Sequence, residues 1–490
     1  MRREELTDLE WQHWRVWSGL LRGFTNTWWY NFGTGMESSM SPGLMPYPSL
    51  REYARDLATI RAGYHTLYRG ARRDYGKIAI HDSVPCRLLS AWVPELGNEV
   101  TWNLHYLIRL MQDYAGYQYT LVSNEQIAQG ALKNYAALVM PASLAVGEAE
   151  TAALKKFVEG GGLLVADVRP GLADESGRIG NNEAMRQLFG ISWKKGLGRA
   201  MLTGEVSGQY KNVAFHNRPL RFPADPALEL RDAKPVLQID GIPLITCHDV
   251  GAGSAVCLNI PFNYYRGYPT MDHMYQYLGD PEYHGMLGRV LDAIFRAHRV
   301  GRPLEITVPQ EPWLAGLDTP LHLDGQAQYV SLTKRRMAKD EAEAVISFQA
   351  PRGGHCYDML EGKYLGEGEQ WQVRIAPADV RLFAILPYKV TEVKVHPDKT
   401  QFRPGDEVTG NVSIAISGGQ PQRHVIHIDV VRPDGQALRC LGRNLETRGG
   451  RADFAIPLAL NEVAGRYTLR CTDIATRTAA SIQVEVERTR

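Results

Sequence analysis

The side chains of this 490-residue chain that best suit the binding of a sugar lie near its start. Trp28 and Tyr30 belong to the aromatic stretch 24–32, and Glu37 follows in a glycine-rich loop. Aromatic rings can stack on the apolar face of a pyranose, and a carboxylate can accept hydrogen bonds from its hydroxyl groups. Each residue has an ordinary alternative, which is core packing for the two aromatic rings and a solvated loop position for Glu37.

Acidic residues decide whether the same region could also cleave a glycoside. Hydrolysis with retention needs two carboxylates about 5 Å apart, one as the nucleophile and one as the acid and base. The acidic residues before Gly70 are Glu4, Glu5, Asp8, Glu10, Glu37, Glu52 and Asp56. The pattern predicts a loop position for Glu37 alone and places the others on or before helices. We therefore expect no catalytic residue in this chain, and no glycosidase activity unless another chain supplies the pair.

A strand, the loop after it and the helices on either side must position these side chains. The stretch 24–32 has the aromatic and threonine-rich composition of a buried strand. After it, Leu50, Ala54 and Leu57 recur at helical spacing, which predicts an amphipathic helix. Helix, aromatic strand, glycine-rich loop and helix is the order at the end of a (β/α)8 barrel, so we interpret residues 1–72 as a barrel remnant.

A quarter of a barrel cannot close its own sheet, and it leaves a strand edge uncovered. We therefore expect a larger catalytic domain to precede residues 1–72 in the full protein, with a fragmentary gene or a wrong start at Met1 as the cause. Within the chain, the remnant is expected to pack against the region that follows it, as one aromatic strand between two helices.

Residues 73–300 alternate between apolar strands and helices. Continuous apolar strands that alternate with helices indicate a parallel sheet covered on both faces. A hairpin is predicted at 244–260, where Gly251-Ala252-Gly253 forms the turn. The predicted strands are 77–80, 119–122, 136–140 and 163–166, and the predicted helices are 100–115, 147–159 and 281–298.

Helical periodicity stops after Arg302. Short strands and turns in residues 301–388 predict a small antiparallel β-domain. Residues 389–490 show alternating strands punctuated by turns such as Arg432-Pro433-Asp434-Gly435, which is typical of an immunoglobulin-like (Ig-like) β-sandwich. The predicted fold class is therefore α/β plus β.

This order of domains resembles the β-galactosidases of glycoside hydrolase family 42. The segments 135–142 and 157–167 are similar to the trimerisation domain of that family, and the segments 357–363 and 375–380 are similar to its small β-domain. The resemblance implies a flavodoxin-like domain at 73–300 that is related to class I glutamine amidotransferases but lacks their activity. It also implies a homo-oligomer, most simply a trimer, and carbohydrate metabolism as the setting.

The same resemblance assigns a role to the loop after the aromatic strand. In the family this loop carries a sugar-binding glutamate and, three residues later, a histidine. Glu37 matches the glutamate, Met40 stands in the histidine position, and Tyr30-Asn31-Phe32 replaces the usual Gln-Trp-Arg. The implied function is the C-terminal portion of a β-galactosidase-like glycoside hydrolase that binds a β-galactoside or related sugar. A non-catalytic carbohydrate-binding or oligomerisation protein is the alternative.

Two other motifs resemble catalytic sites. An amidotransferase needs a cysteine nucleophile on a sharp elbow after a strand, and the elbow after 136–140 has Ser143 but no cysteine. Cys247-His248-Asp249 lies in the predicted hairpin, where a turn centred on Ala252 would put Cys247 opposite Cys257. We therefore expect no amidotransferase activity and a structural role for both cysteines.

Composition excludes several other functions. With 55 basic and 54 acidic residues the net charge is +1, which gives no indication of binding to nucleic acid or to a membrane. No signal peptide is recognisable at the start, so we expect a cytoplasmic protein, with export left open if the start is incomplete.

The six cysteines form no C-x-x-C pair, so we expect neither a metal site nor a cofactor. Cys440 and Cys471 either form a disulfide or are two free core thiols.

Overall fold

The computed structural model of the chain describes residues 9–24, 45, 48–92, 99–180, 182–194, 200–210, 213–216, 220–262, 281–308, 313–337 and 341–488. It has a mixed α/β fold with many strands, in agreement with the predicted class. The chain divides into two compact units. The first unit consists of Met1–Asp74, Leu304–Gln310 and Asp318–Arg490, and the second consists of Tyr75–Pro303 and Glu311–Leu317.

The helices begin and end at residues that suit their positions. Ser123 and Gln126 form a capping box at the start of α6, and the Asn182 side chain caps α8. Irregular turns at Ile60–Tyr64 and Leu110–Ala115 continue α2 and α5. Among the described residues, no helix is long and apolar enough to span a membrane. The α-helices are α1 Leu9–Leu21, α2 Pro48–Thr59, α3 His65–Gly70, α4 Val84–Trp92, α5 Glu99–Arg109, α6 Asn124–Ala128, α7 Glu148–Glu159, α8 Glu183–Phe189 and α9 Pro281–Ala297.

A nine-stranded sheet forms the centre of the second unit. Its first five strands are parallel, and the remaining four are added in antiparallel pairs. In spatial order the strands are Thr120–Ser123, Ile78–Asp82, Ala137–Met140, Leu163–Asp167, Gly253–Leu258, Ile242–Val250, Lys234–Ile239, Ser207–Tyr210 and Val213–His216. The predicted parallel sheet is therefore confirmed, and its strands lie within two residues of their predicted bounds.

Alternation along these strands builds a core on each face of the sheet. Val139 and Val165 lie in one buried cluster with residues of α5 and α9, whereas Leu138 and Leu164 lie in another with residues of α7 and α8. Strands with both faces buried must be apolar throughout, which explains why the sequence shows continuous apolar runs here. Two short antiparallel pairs complete the unit: Ile191–Trp193 with Leu228–Leu230, and Ala200–Gly204 with Leu220–Ala224.

The hairpin has a register that differs from the expected one by one residue. Val250 pairs with Gly253, so the turn consists of Gly251 and Ala252. Cys257 therefore lies opposite Thr246, and the prediction that it faces Cys247 is wrong. A two-residue turn shifts every pair by one relative to a turn centred on Ala252.

The described residues of the first unit form three sheets. The largest has eight strands, with Ala327–Lys334 and Val380–Leu386 at its centre. The strands of this sheet are Arg72–Asp74, Glu305–Thr307, Leu317–Asp318, Leu321–Asp324, Ala327–Lys334, Ala344–Asp358, Lys363–Ile375 and Val380–Leu386. A three-stranded sheet of Val390–Pro397, Glu407–Ile416 and Arg451–Pro457 follows, with a five-stranded sheet of Gln401–Phe402, Val425–Val431, Arg443–Glu446, Gly465–Asp473 and Ala479–Val486. Buried side chains of the last two sheets share one core.

The N-terminal helices belong to this core of the first unit. Trp17 and Leu67 are buried in the same cluster as residues of all three sheets. Tyr64 Oη donates a hydrogen bond to the Met359 carbonyl at 2.6 Å. The strand Arg72–Asp74 pairs antiparallel with Leu321–Asp324. The predicted packing of these helices on the region that follows them is wrong, because their apolar faces are buried among the C-terminal strands.

Two further contacts attach the N-terminal helices to the C-terminal strands. Arg423 donates to the Leu67 carbonyl at 2.7 Å and to Asp324 at 2.7 Å. Gly63 has φ 118°, and a Cβ atom at this position would lie 2.4 Å from Ile474 Cγ1. A glycine is needed there because the backbone turns into the left-handed region and approaches Ile474 closely.

All six cysteines are free in the structure. Cys471 is buried and Cys440 is exposed. The disulfide that the sequence left open is therefore absent, and of the two expected core thiols only Cys471 is in the core. The strand Gly465–Asp473 places Cys471 inward, whereas Cys440 lies in a turn before Arg443–Glu446.

Candidate functional site

The residues predicted to bind a sugar, Trp28, Tyr30 and Glu37, lie outside the described residues, as does the aromatic strand 24–32 apart from Phe24. A group of described polar residues comes together instead in the second unit. They lie at the carboxyl ends of its parallel strands, which is where α/β sheets usually bind ligands.

Three neighbouring strands contribute to this edge. His81 lies near the end of Ile78–Asp82, Asp167 ends Leu163–Asp167, and Ser143 follows Ala137–Met140 in a sharp elbow. The strands are parallel and adjacent, so their carboxyl ends converge. Residues separated by tens of positions in the chain are thereby brought together.

The elbow after Ala137–Met140 has strained backbone. Ala142 adopts φ 40°, and across the same edge Val168 and Arg169 adopt φ 35° and 49°. Residues other than glycine rarely adopt the backbone angles of this left-handed region. Each residue held there costs of order 1–3 kcal/mol. Such outliers persist only where the surroundings hold them, so the contacts of the elbow decide its role.

Asp167 supplies the contacts that hold the elbow. Its carboxylate accepts hydrogen bonds from the Ala142 amide at 2.5 Å, from Asn103 Nδ2 at 2.9 Å and from the Phe262 amide at 2.8 Å. The side chain has no exposure to solvent. One carboxylate therefore joins the elbow, helix α5 and the segment after the hairpin, and buried charge is tolerated because several donors surround it.

Beside the elbow, three side chains have the order of a nucleophile, a base and a carboxylate. Ser143 Oγ lies 2.7 Å from His81 Nδ1, and His81 Nε2 lies 2.9 Å from Glu150 Oε1. The second contact is close but does not form a hydrogen bond of normal geometry. A serine, a histidine and a carboxylate in this order can activate the hydroxyl group as a nucleophile.

Burial decides against catalysis by this trio as it stands. His81, Ser143 and Glu150 are 2%, 1% and 4% exposed. A nucleophile must come within about 3 Å of the reacting carbon atom, and a fully enclosed hydroxyl group cannot do so. The most strained elbow position is also occupied by Ala142, which has no reactive group. The trio therefore acts as a buried polar connection between two strands and helix α7.

Cys86, on α4, contacts the same elbow. Its thiol donates to the Ala145 carbonyl at 3.1 Å and accepts from the Ala145 amide at 3.3 Å. Burial raises the pKa of the Cys86 thiol to about 11. The thiol therefore stays protonated at neutral pH, whereas a cysteine nucleophile needs the thiolate.

Cys247-His248-Asp249 forms no catalytic group. Side chains along the strand Ile242–Val250 point alternately to the two faces of the sheet. His248 Nδ1 is hydrogen-bonded to the Leu188 carbonyl oxygen at 3.0 Å. Asp249 accepts a hydrogen bond from Ser254 Oγ across the hairpin at 2.6 Å. These contacts attach the hairpin to α8 and close its own ladder, and of the two cysteines only Cys257 is buried.

The grouping of His81, Ser143 and Glu150 was not predicted from the sequence. A polar residue at the end of an otherwise apolar strand, as at His81, was the signal that could have indicated it. The elbow itself was predicted, but its serine was not recognised as a partner of a histidine on the neighbouring strand. Glu150 gave no signal, because an acidic residue in the first turn of a helix is common for reasons of the helix dipole.

No protein-family model and no curated protein sequence matches the chain. A β-galactosidase from Bacillus circulans sp. alkalophilus superimposes with a TM-score of 0.56 at 15% identity, over 78% of this chain and 52% of its own. The cold-adapted β-galactosidase from Rahnella sp. R3 superimposes with a TM-score of 0.55 at 16% identity, over 76% of this chain and 50% of its own.

A catalytic mutant of a glycoside hydrolase family 42 β-galactosidase from G. stearothermophilus gives the same result. Its TM-score is 0.53 at 13% identity, over 77% of this chain and 51% of the enzyme. The chain thus spans about half the length of each of these enzymes. The fold of this chain is therefore similar to that of about half of a family 42 β-galactosidase, as the sequence resemblance predicted.

Proposed function

We propose that this chain supplies the non-catalytic half of a β-galactosidase-like glycoside hydrolase and assembles as a homotrimer through its second unit. The observation that carries the proposal is the shared fold, which extends over 76–78% of this chain and about half of three β-galactosidases. At this low sequence identity the similarity concerns the fold alone. The activity and the substrate of this chain are therefore part of the proposal.

The buried elbow supports an architectural role for the second unit. The Asp167 carboxylate accepts from backbone amides, and the His81 imidazole is hydrogen-bonded to the Ser143 hydroxyl group. A polar network with its members paired internally rigidifies a domain, whereas an active site keeps such groups open to substrate. In the proposal, residues 73–300 form a flavodoxin-like domain of the trimerisation type, without amidotransferase activity.

The rest of the proposal concerns the first unit. Residues 1–72 would form the end of a barrel, in which Glu37 accepts hydrogen bonds from a sugar and Trp28 and Tyr30 stack on it. Residues 301–388 would be the small β-domain, and residues 389–490 the Ig-like sandwich. The two catalytic carboxylates would come from outside this chain.

A non-catalytic carbohydrate-binding or oligomerisation protein is the second candidate. The continuous core of the first unit favours it, because α1 and α3 are buried against C-terminal strands. A barrel remnant that served only to complete another domain would not need such a core. Sugar binding without hydrolysis is expected from either candidate, but only the first requires a catalytic partner.

The free cysteines suggest where the protein works. All six are unbonded. Reduced thiols are the usual state in the cytoplasm, where disulfides are rare. A cytoplasmic location therefore forms part of the proposal.

Light scattering of the full chain tests the assembly. We expect a mass three times the 54.8 kDa of one chain. The reason is that an assembly role for the second unit requires a surface that binds other copies. A dilution series over micromolar concentrations distinguishes a defined trimer from aggregation. A constant mass of one chain across the series would contradict the proposed assembly.

A further inference from the structure

Two helices of the first unit bring together three side chains that can bind a metal ion. His13 lies on α1, and Glu52 and Asp56 lie about one turn apart on α2. One ligand atom from each, an imidazole nitrogen and two carboxylate oxygens, lie within 4.8 Å of one another. Residues four apart on a helix share a face, so α2 presents both carboxylates on the side that faces His13.

The closest pair in this cluster already has nearly the spacing of two ligands on one ion. His13 Nδ1 lies 3.0 Å from Asp56 Oδ2. Bonds of about 2.0–2.2 Å place neighbouring ligand atoms on a tetrahedral zinc ion about 3.3 Å apart. An ion can therefore replace the proton shared by His13 and Asp56, and a rotation of the Glu52 side chain completes the set.

The surroundings orient Asp56 as outer-shell groups orient ligands in metal sites. Trp17 Nε1–H donates to Asp56 Oδ1 at 3.0 Å, and Trp17 itself is 1% exposed. The indole group thus fixes one oxygen of a carboxylate that has both oxygens 3.0 Å from His13 Nδ1. Asp379 adds a further negative charge that acts on His13.

Glu52 has a competing partner, but a weak one. It lies 2.8 Å from Arg55 Nη1, and the Arg55 side chain is 76% exposed. Exposed pairs of this kind contribute little to stability, because water screens the charges and both long side chains must be held in place. Glu52 can therefore leave Arg55 and turn to an ion between the helices at small cost.

From this geometry we infer that the chain binds one divalent transition-metal ion, of the zinc type, between α1 and α2. One nitrogen and two oxygen ligands suit zinc better than magnesium or calcium, which prefer oxygen ligands throughout. The ion fastens α1 to α2 and keeps an open coordination position for water. This site could not be recognised from the sequence, because His13 and Asp56 are 43 residues apart and form no local motif.

Calorimetric titration of the chelator-treated full chain with zinc chloride tests the inference. We expect one site per chain in the wild type. Glu52→Gln should weaken the affinity about tenfold or more, and His13→Gln should abolish binding. Titration with cobalt(II) should give a visible absorption band that is altered in Glu52→Gln and absent in His13→Gln, because the band reports the ligands around the ion.

Glu343→Gln is the matched control, because it removes a carboxylate that pairs with an exposed arginine in the same unit. Its zinc affinity should equal that of the wild type. His13→Gln also removes a hydrogen bond to Asp56, so the melting temperature of each variant is measured in chelator. Glu52→Gln should melt like the wild type there. Lack of zinc binding by the wild type, or equal affinity in Glu52→Gln, would overturn the inference.

Discussion

Replacing Asp167 with alanine should unfold the second unit at temperatures at which the wild type stays folded. The substitution leaves two buried backbone amides, those of Ala142 and Phe262, and the buried Asn103 side chain without their acceptor. Each unsatisfied buried donor costs about 1–3 kcal/mol, so the loss should be at least about 3 kcal/mol. The melting temperature of the unit should fall by about 6 °C or more, as measured by calorimetry or circular dichroism.

Asp174→Ala is the matched control for this prediction. Asp174 also accepts backbone hydrogen bonds in the second unit, from Ser176 and Arg178, but in an exposed turn. Water replaces the lost acceptor there, so the melting temperature should change little. If Asp167→Ala melted like Asp174→Ala, the carboxylate would not be holding the elbow.

Replacing Trp17 with alanine should destabilise the first unit by about 3–5 kcal/mol, the usual cost of removing a buried aromatic ring. Trp17 is 1% exposed and packs edge-on against Tyr64, with ring centroids 5.5 Å apart. Its loss opens a cavity in the cluster that includes strands of the C-terminal sheets. The unit should therefore unfold at lower urea concentration in one transition that includes those sheets.

Leu460→Ala serves as the control, because Leu460 lies in the same unit and is 86% exposed. Its unfolding midpoint should match that of the wild type. Hydrogen exchange shows whether the sheets follow α1: amides of Gly465–Asp473 should lose protection in Trp17→Ala. Loss of protection confined to α1 and α2 would instead mean that these helices are a separable appendage.

Much of the second unit could be predicted from the sequence because its information is local. A strand buried on both faces is an uninterrupted apolar run, and Ala137–Met140 and Leu163–Asp167 both have this form. Helix α7 was equally clear, since its apolar residues recur at helical spacing between glycines. Periodicity of this kind depends on neighbouring residues alone.

What could not be predicted depends on contacts between distant residues. The predicted packing surface for α1 and α3 was wrong, because an amphipathic helix specifies an apolar face but not the surface that covers it. Cys257 was one position from its predicted partner, since register depends on the length of the turn. The contact of His81 with Ser143 joins residues 62 positions apart, and it arises only when adjacent parallel strands end together. The roles of Trp28, Tyr30 and Glu37 remain predictions.

Hydrolysis of 4-nitrophenyl β-D-galactoside by the purified full chain tests the central claim most directly. The claim is that this chain provides fold and assembly but lacks the two carboxylates that cleave a glycoside. We predict release of nitrophenol at the rate of buffer alone, in an assay where a known β-galactosidase is active. Turnover above that rate, lost in a Glu37→Gln variant that still melts like the wild type, would contradict the claim and make this chain an enzyme.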